Sequence, residues 1–326
     1  MEKIIIDCHN HTKWSRFDTN VRGSDWFNYV EDFAEIARDT NLTMCAVTEH
    51  DVVNRKLKEL LGDTDILVPE AVEISAKNYD KDKSLHILYY AKTISREVDD
   101  LLSDVLNNKK QMLNLQIKKL AKFWFEIDLE SVMDYVRKQG AWDDWMNKWN
   151  MTKYLFEWKN RDINTLIFYG IFNNLDLWNQ DEYKWFYNSC MKSGWEFYNQ
   201  YKIDNLTYEP DVTVVWELAK KDNAIMSIAH PNFTFKKGVE YFKKELPDYI
   251  EKWVNAIEFN AKVDYKWGKA IMESKEKYDL ILTFGSDCHM IWWDDDKHAT
   301  FWTVSPFINQ DILEDNLAKF RTKTWI

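Results

Sequence analysis

Short apolar runs recur along the chain, several of them rich in β-branched residues, and stretches with helical spacing separate them. This alternation is typical of βα units whose parallel strands share one sheet. Seven such runs predict seven strands, and seven parallel strands of this kind predict a closed or nearly closed α/β barrel. The predicted strands cover residues 4–8, 44–48, 66–74, 85–90, 224–229, 256–260 and 280–284.

The alternation stops between residues 96 and 205. That stretch is charged and aromatic, and its apolar residues follow a helical spacing, as at Leu101, Val105 and Met112. We therefore predict two barrel segments, 1–95 and 206–326, and between them a helical insertion over 96–205 that packs over one end of the barrel.

Composition narrows the class of protein. The 326 residues, 45% of them hydrophobic, are enough for a sizeable core, and four cysteines are too few for a disulfide-stapled chain. The net charge of −11 argues against a general binder of duplex nucleic acid, although bound metal ions would still allow a phosphate-bearing substrate. The chain contains neither a signal-peptide core nor a long apolar run, so we predict a cytoplasmic protein with no membrane partner.

Glycine is scarce and tryptophan abundant. The chain has 8 glycines, where an ordinary composition gives about 23, and 17 tryptophans. Trp124 follows a helical pattern and precedes a new N-cap, a position where a left-handed glycine commonly ends a helix, and Trp142, Trp145 and Trp149 lie among turn-forming residues. Two explanations of this composition stay open. Some of the tryptophan positions are encoded by UGA codons that the source organism translates as glycine, or the protein is unusually rich in aromatic residues.

Six of the seven histidines lie in or directly after the apolar runs. A single histidine in such a place is ordinarily a hydrogen-bonded core or rim residue, but six at comparable positions of successive strands point to one site. In a parallel α/β barrel these strand ends open on the face where active sites are built. The six are His9, His11, His50, His86, His230 and His289. The seventh, His298, lies in an Asp-rich stretch that we interpret as a surface loop.

The two-residue period of a strand sharpens this prediction. In IDCHNH it directs His9 and His11 to one side and Cys8 to the other. In GSDCH, Asp287 and His289 share a side and the intervening cysteine faces away. The cysteines therefore resemble small buried apolar residues, and their spacing does not fit a thiolate zinc site.

Imidazoles and carboxylates that converge in a water-accessible mouth suit Zn²⁺, Mn²⁺ or Fe²⁺, with more than one ion when the ligands exceed about four. Glu73 is the natural bridging carboxylate, because it lies in the mostly apolar run VPEAVEIS, where an unpaired acid would be costly. Asp7 and Asp51 are candidates for orienting the ligating imidazoles, with capping or turn formation as the alternative.

The order of these motifs resembles that of the PHP (polymerase and histidinol phosphatase) superfamily. The resemblance spans residues 4–95 and 212–290, and TEHD replaces the TDH found in many members. The motifs are HNH with His9 and His11, TEHD with His50, VEIS with Glu73, LHILYY with His86, AHP with His230, IEFN with Glu258, and GSDCH with Asp287 and His289.

This resemblance implies a distorted (β/α)7 barrel that holds two or three divalent ions (Mn, Zn or Fe) and hydrolyses phosphate esters. One ion would be held by His9, His11, Glu73 and Asp287, a second by Glu73, His86 and His230, and a third by His50, His289 and Asp18. Asp18 is the nearest candidate to the family's further ligand, at a slightly longer spacing. Either Asp287 or His289 would accept or relay a proton during catalysis.

The insertion resembles that of the PHP subgroup that acts on nucleotides. We therefore expect a nucleoside 3′,5′-bisphosphate phosphatase or a 5′–3′ exonuclease on short single-stranded oligonucleotides, with Arg16, Lys236 and Lys237 as candidates for phosphate contact. Two alternatives stay open: a histidinol-phosphate phosphatase, and a catalytically inactive PHP scaffold with a structural or regulatory role. The pattern does not determine the oligomeric state.

Overall fold

The computed structural model describes residues 3–12, 29–138, 148–173, 175, 181–191, 197–201, 209–252, 254–289, 299, 301 and 308–324, without the side chains of 198 and 199. The chain divides into two compact units, Met1–Ser103 with Glu209–Ile326, and Asp104–Tyr208. The predicted boundaries lie at 95/96 and 205/206. The observed division falls at 103/104 because the helix that begins at Arg96 starts in the first unit and continues into the second.

The first unit contains two sheets. In the first, β1 and β2 are parallel and pair Ile6 with Met44, while β3 to β7 form a second, five-stranded sheet in chain order. The strands are β1 (Ile6–Asp7), β2 (Met44–Cys45), β3 (Glu70–Asn78), β4 (Lys83–Ala91), β5 (Ile225–Ile228), β6 (Ala256–Asn260) and β7 (Ile281–Gly285). Every predicted strand therefore overlaps an observed one.

The direction of β4 differs from the prediction. β4 runs antiparallel to both β3 and β5, while β5, β6 and β7 are parallel to one another. The chain passes from β3 to β4 through a single 3₁₀ turn, Tyr79–Lys81, followed by Asp82 in the left-handed region with φ 48°. A parallel connection needs a crossover of a dozen or more residues, so this short link permits only a hairpin. The prediction of seven parallel strands is wrong at this point.

The α/β class is confirmed, but the described residues do not form the closed (β/α)7 barrel. Isolated bridges join the two sheets at Asn10–Cys288, Met44–Leu67 and His50–Glu73. Continuous ladders are lost there because the backbone departs from strand geometry where side chains turn inward, as at Asp287, whose φ is 52°. The result is two sheets joined by single bridges.

Helices cover the sheets of the first unit and bury two apolar clusters, a large one against β3 to β7 and a smaller one that includes residues of α1, α2 and β2. Asp211 and Asp264 begin two of these helices by accepting hydrogen bonds from the backbone amides of Thr213 and Trp267, each at 2.8 Å. The helices are α1 (Val30–Asp39), α2 (Lys56–Leu60), α9 (Val212–Lys221), α10 (Pro231–Thr234), α11 (Val239–Lys252), α12 (Tyr265–Tyr278) and α13 (Gln310–Thr324).

The described residues of the second unit are helical, in agreement with the pattern predicted for the insertion. Its core is aromatic, with Phe125, Phe156, Phe168 and Phe186 in mutual ring contact. The helices are α3 (Arg96–Ala121), which starts in the first unit, α4 (Leu129–Lys138), α5 (Lys148–Glu157), α6 (Arg161–Ile171), α7 (Glu182–Phe186), a π-helical turn (Tyr187–Met191) and α8 (Tyr198–Tyr201). None of the described helices has the length and apolar character needed to cross a membrane.

Trp124 and Trp149 differ in backbone conformation and in packing. Trp124 follows the end of α3 with φ 74° and is 81% exposed, which matches a position suited to glycine. Trp149 instead lies in α5, and its ring packs edge-on against Tyr183 and Tyr187, with centroids 5.4 and 4.9 Å apart. Trp142 and Trp145 lie outside the described residues.

We expect Trp124→Gly to raise the free energy of unfolding by about 1 kcal/mol, because a left-handed backbone is costly for a side chain that buries little. Trp149→Gly is the matched control and should lower it by at least about 2 kcal/mol through lost helix propensity and ring contacts. Chemical denaturation measures both. Equal destabilisation by the two changes would contradict the assignment of position 124.

A second unusual side chain lies on the helix-facing side of β4. Lys83 points away from the face that carries His86, and its buried Nζ lies 3.6 Å above the ring centroid of Phe235, with no hydrogen-bond acceptor among the described residues. Burial lowers the pKa of this ammonium from 10.5 to about 8. Neighbouring Lys81 differs, because its Nζ pairs with Glu245 at 2.7 Å and Asp248 at 2.9 Å.

We expect Lys83→Met to stabilise the fold at pH 7 by on the order of 1 kcal/mol, since it removes an unpaired buried charge that the ring contact only partly offsets. Between pH 8 and 10.5 the unfolded chain binds more protons at this site than the folded chain does, so Lys83 destabilises the fold progressively less. The gain from Lys83→Met should therefore shrink across that range in denaturation curves. Lys81→Met should show no gain at pH 7, and a gain there equal to that of Lys83→Met would contradict this interpretation.

Candidate metal centre

Eight predicted ligands converge in the first unit, where the parallel strands β5, β6 and β7 end. They lie on or directly after six strands of the two sheets. His9 and His11 follow β1, His50 follows β2, Glu73 and His86 lie on β3 and β4, His230 follows β5, and Asp287 and His289 follow β7. Except for His86, these side chains are buried or nearly so.

Four side chains form the tightest group. His9 Nε2 lies 3.2 Å from His11 Nε2, 3.6 Å from Glu73 Oε2 and 3.4 Å from Asp287 Oδ1. His11 Nε2 lies 3.3 Å from the same Glu73 oxygen and 3.4 Å from the same Asp287 oxygen. A tetrahedron around a zinc ion with ligand bonds of about 2.05 Å has edges of about 3.3 Å. Five of the six donor–donor distances in this group are therefore those that the ligands of one ion would have.

Glu73 lies at the centre of the cluster. Besides the two imidazoles of the tightest group, its Oε2 lies 2.7 Å from His50 Nδ1. Its Oε1 lies 2.8 Å from His86 Nδ1 and 3.1 Å from His230 Nε2. The two carboxylate oxygens thus face two sets of imidazoles, which is the arrangement expected of a carboxylate that bridges two ions.

A third set of donors adjoins these two. Ligand nitrogens of His11, His50 and His289 lie within 4.8 Å of one another. The rings of His11 and His289 are nearly parallel, with centroids 4.4 Å apart. The predicted third ligand, Asp18, lies outside the described residues.

The buried acids are held in their charged form. Burial by itself would raise the pKa of Glu73, but the imidazoles of His86, His50 and His9 hold it well below the usual value. Burial likewise opposes ionisation of Asp287, yet His9, His11 and His289 keep its pKa well below the ordinary one. Two carboxylates that favour the ionised form therefore lie in the interior, each within 3.6 Å of His9 Nε2, where they require nearby positive charge.

The pKa values of the buried histidines shift in opposite directions. Burial would lower the pKa of His9, but Glu258, Asp287 and Glu73 raise it well above its ordinary value, and the acids raise that of His11 in the same manner. His50 differs, because burial lowers its pKa to about 3 and leaves its imidazole neutral. The acids around His9 and His11 therefore favour positive charge at this point, which a bound divalent ion would also supply.

The donor set fits divalent metal ions. Glu73 Oε2 and His86 Nδ1 are buried, and within the described part of the chain neither makes a hydrogen bond of acceptable geometry, although each has close polar neighbours. Close approach without hydrogen-bond geometry is expected where lone pairs face a common cation rather than a shared proton. Imidazole nitrogens and carboxylate oxygens suit Zn²⁺, Mn²⁺ and Fe²⁺.

The backbone is strained where two ligands are presented. His230 has φ 27° and Asp287 has φ 52°, values that residues other than glycine seldom adopt. Such strain persists only where surrounding contacts impose it, and it concentrates at functional sites.

Sequence reasoning assigned no role to two residues that pack against His9. Glu258, on β6, lies with Oε1 2.7 Å from His9 Nδ1. A Cβ atom at position 285 would lie 2.2 Å from the Cβ of His9 and 2.7 Å from Glu258 Oε1, so β7 needs glycine there. The reasoning that singled out Glu73, an acid in an apolar strand, applies equally to Glu258 and could have found it.

The predicted orienting acids make other contacts. Asp51 accepts hydrogen bonds from Ser75 N and Oγ at 2.7 and 2.9 Å, and Asp7 accepts from Ser286 N and Oγ at 3.1 and 2.7 Å. These bonds connect the ligand-bearing loops to neighbouring strands, as turn-forming acids would. Among the described contacts of His9, the acid that accepts from its Nδ1 is Glu258.

The remaining predicted residues lie apart from these contacts or outside the described residues. Lys236 and Lys237 follow α10 and are exposed, and Lys237 Nζ lies 5.0 Å from the ring centroid of Tyr241. Arg16 and His298 are outside the described residues. Phosphate contact by Arg16, Lys236 and Lys237 therefore stays a prediction. All four cysteines are buried, as predicted.

Comparisons with known proteins support this fold. No family model and no curated protein matches the chain. A protein from Bifidobacterium adolescentis, provisionally described as a metal-dependent phosphoesterase, shares the fold with a TM-score of 0.64, 15% identity and 98% of each chain covered. An amidohydrolase from Chromobacterium violaceum, with bound sulfate and no metal, gives a TM-score of 0.64 at 12% identity and 96% coverage of each chain.

A third solved structure, from Bacteroides vulgatus, is a two-domain protein that contains a PHP-like domain. It is 13% identical, covers 88% of this chain and 52% of its own, and has a TM-score of 0.39, too low to indicate a shared fold. The first two likenesses show that the chain shares the fold of these two proteins. The resemblance to the PHP superfamily rests on the sequence motifs, and the two structures bear out the α/β fold alone.

We expect Gly285→Ala to disrupt the metal centre, because the added methyl group would displace His9 or Glu258. Metal content after dialysis should fall by about tenfold or more, and the melting temperature should drop. Gly170→Ala is the control, since a Cβ at that position on α6 meets nothing within 4 Å and should be neutral or slightly stabilising. Wild-type metal content in Gly285→Ala would contradict the close packing described here.

Proposed function

We propose that the protein is a metal-dependent hydrolase of phosphate esters. The observation that carries this proposal is the convergence of six imidazoles and two carboxylates on one site, with donor atoms spaced for more than one ion. Such sites activate water and bind the oxygens of a phosphoryl group. The fold shared with a protein described as a metal-dependent phosphoesterase is consistent with this proposal.

Two of the candidate ligands, Asp287 and His289, are also the candidates for proton transfer. When bound, divalent ions activate water as a nucleophile and neutralise charge that develops on the phosphoryl oxygens. Glu73 joins two sets of imidazoles through its two oxygens, so it sets the spacing between the ligand groups. Asp287 Oδ1 and His289 Nε2 lie 3.2 Å apart, a distance at which the imidazole can take a proton and the carboxylate can stabilise the resulting charge.

For the substrate, we propose a nucleoside 3′,5′-bisphosphate or the 5′ end of a short single-stranded oligonucleotide. Its support is the resemblance of the helical insertion to that of nucleotide-specific PHP proteins. Histidinol phosphate would use the same metal chemistry and is the alternative substrate. An inactive scaffold is disfavoured because such proteins are expected to lose ligands, whereas eight predicted ligands converge in the structure.

The decisive experiment measures bound Mn, Fe and Zn in the purified protein and assays hydrolysis of a substrate panel. The panel contains a nucleoside 3′,5′-bisphosphate, short RNA, histidinol phosphate, a chromogenic phosphomonoester and a simple amide. Turnover of the first two supports the proposal. Activity on histidinol phosphate without activity on nucleotides would overturn the substrate, and bound metal with activity on the amide alone would overturn the reaction class.

We expect Glu73→Ala to abolish turnover, by a factor of at least about 10³, and to remove most of the bound metal, because it deletes the oxygens that face both ligand sets. Glu70→Ala is a matched control on the same strand. Glu70 is also buried, but it pairs with Arg55 at 3.1 Å and accepts from the backbone of Ile94 at 2.9 Å. That change should lower stability yet leave metal stoichiometry intact.

Atomic emission measurements report the metal content of both variants, and denaturation curves report their stability. If Glu73→Ala retains both metal and turnover, Glu73 is not a ligand. If Glu70→Ala loses metal to the same extent, loss of folding rather than loss of a ligand explains the first result.

A further inference from the structure

Glu258 contacts two ligand-bearing segments at once. Its carboxylate is fully buried on β6, with Oε1 2.7 Å from His9 Nδ1 and Oε2 accepting from the backbone amide of His230. His9 belongs to the four-residue group with Asp287, and His230 faces the other oxygen of Glu73. One side chain therefore touches residues of two different metal positions.

The contact with His9 determines which ring nitrogen is free. A carboxylate only accepts hydrogen bonds, so His9 Nδ1 must carry a proton. The other nitrogen, Nε2, faces Glu73 at 3.6 Å and Asp287 at 3.4 Å, and a neutral ring protonated at Nδ1 presents its lone pair there. A carboxylate behind a ligating imidazole fixes the tautomer and the ring orientation in this way.

The contact with His230 stabilises an unfavourable backbone. With φ 27° and ψ 66°, His230 lies at the edge of the left-handed region, directly before the proline that begins α10. Its amide points at a buried negative charge, and charge-assisted hydrogen bonds are about twice as strong as neutral ones. This bond holds the backbone in the conformation from which His230 Nε2 reaches Glu73.

We propose that Glu258 is a positioning residue that couples the two metal positions, by fixing the tautomer of His9 and the backbone of His230 together. The inference rests on the proposed function, since it assumes that these imidazoles hold metal ions. It predicts that a substitution of Glu258 lowers the metal affinity of both positions, although no atom of Glu258 needs to touch an ion.

Glu258→Gln is the informative variant because it keeps the shape and removes only one acceptor. A glutamine offers one carbonyl oxygen and one amide group, whereas both of its neighbours donate. If its oxygen accepts from His230, its amide faces His9 Nδ1, and His9 must move its proton to Nε2, the ligating atom. If the oxygen accepts from His9, the amide opposes the His230 amide.

Thr283→Val is the matched control. Thr283 is paired with Glu258 across β6 and β7, is equally buried, and shares a hydrogen bond of 2.8 Å with Ser227. Its loss removes a buried polar contact at the same level of the sheet without touching a predicted ligand. The effect of a merely structural defect is therefore measured independently.

The experiment titrates metal-free full-length protein with Mn²⁺ by calorimetry and, in parallel, records the ¹⁵N shifts of histidine-labelled protein. We expect Glu258→Gln to weaken the two tightest sites by 10- to 100-fold and to alter the tautomer signal of His9. Thr283→Val should change neither, although it lowers the melting temperature. Glu258→Asp, which keeps two acceptor oxygens, should recover part of the affinity.

Four outcomes decide the proposal. Wild-type affinity and an unchanged His9 tautomer in a folded Glu258→Gln would overturn it. Weakening of one site alone would overturn the coupling, and equal weakening in Thr283→Val would show a merely structural role. If the wild-type protein binds no Mn²⁺, the proposed function fails, and that failure is distinguishable because it precedes any comparison of variants.

Discussion

The structure is organised around one buried carboxylate. Glu73 is fully buried, and both of its oxygens face imidazoles, three on one side and two on the other. Burying an ionised acid in a protein interior costs several kcal/mol unless nearby charges and hydrogen bonds compensate. The histidines provide that compensation as protonated rings or through the cations they hold. The chain must therefore bring residues from distant positions to a single point.

The backbone departs from regular geometry to meet this requirement. His230 and Asp287 adopt positive φ values, β7 carries a glycine against His9, and the two sheets are joined by single bridges near the ligands. The antiparallel β4 matters for the same reason, because its register places His86 beside Ser75 and within reach of Glu73. The positive φ values lower local stability, and the helices packed on the apolar core offset that loss.

The features visible in the sequence are those with a local cause. Apolar runs marked the strands because buried strands need apolar side chains, and the two-residue period placed His9 and His11 on one side. The direction of β4 was misjudged because the apolar pattern of a buried strand is the same for either direction. Only the short link to β3 could have revealed it. Glu258 was recognised only as part of the IEFN motif, and its position in an apolar run could have marked it as a site residue. Its specific role depends on His9 and His230, which lie 249 and 28 positions away along the chain.

The sequence alone determined the α/β class, the identity of the candidate ligands and their association with strand ends, because each depends on side-chain chemistry and on spacing within a few residues. Tertiary structure decided which donor atoms meet, which imidazoles are neutral and which acid holds His9. Those properties depend on distances of a few ångströms between segments far apart in the chain, and on the loss of water around them. A local sequence pattern encodes neither these distances nor the exclusion of water.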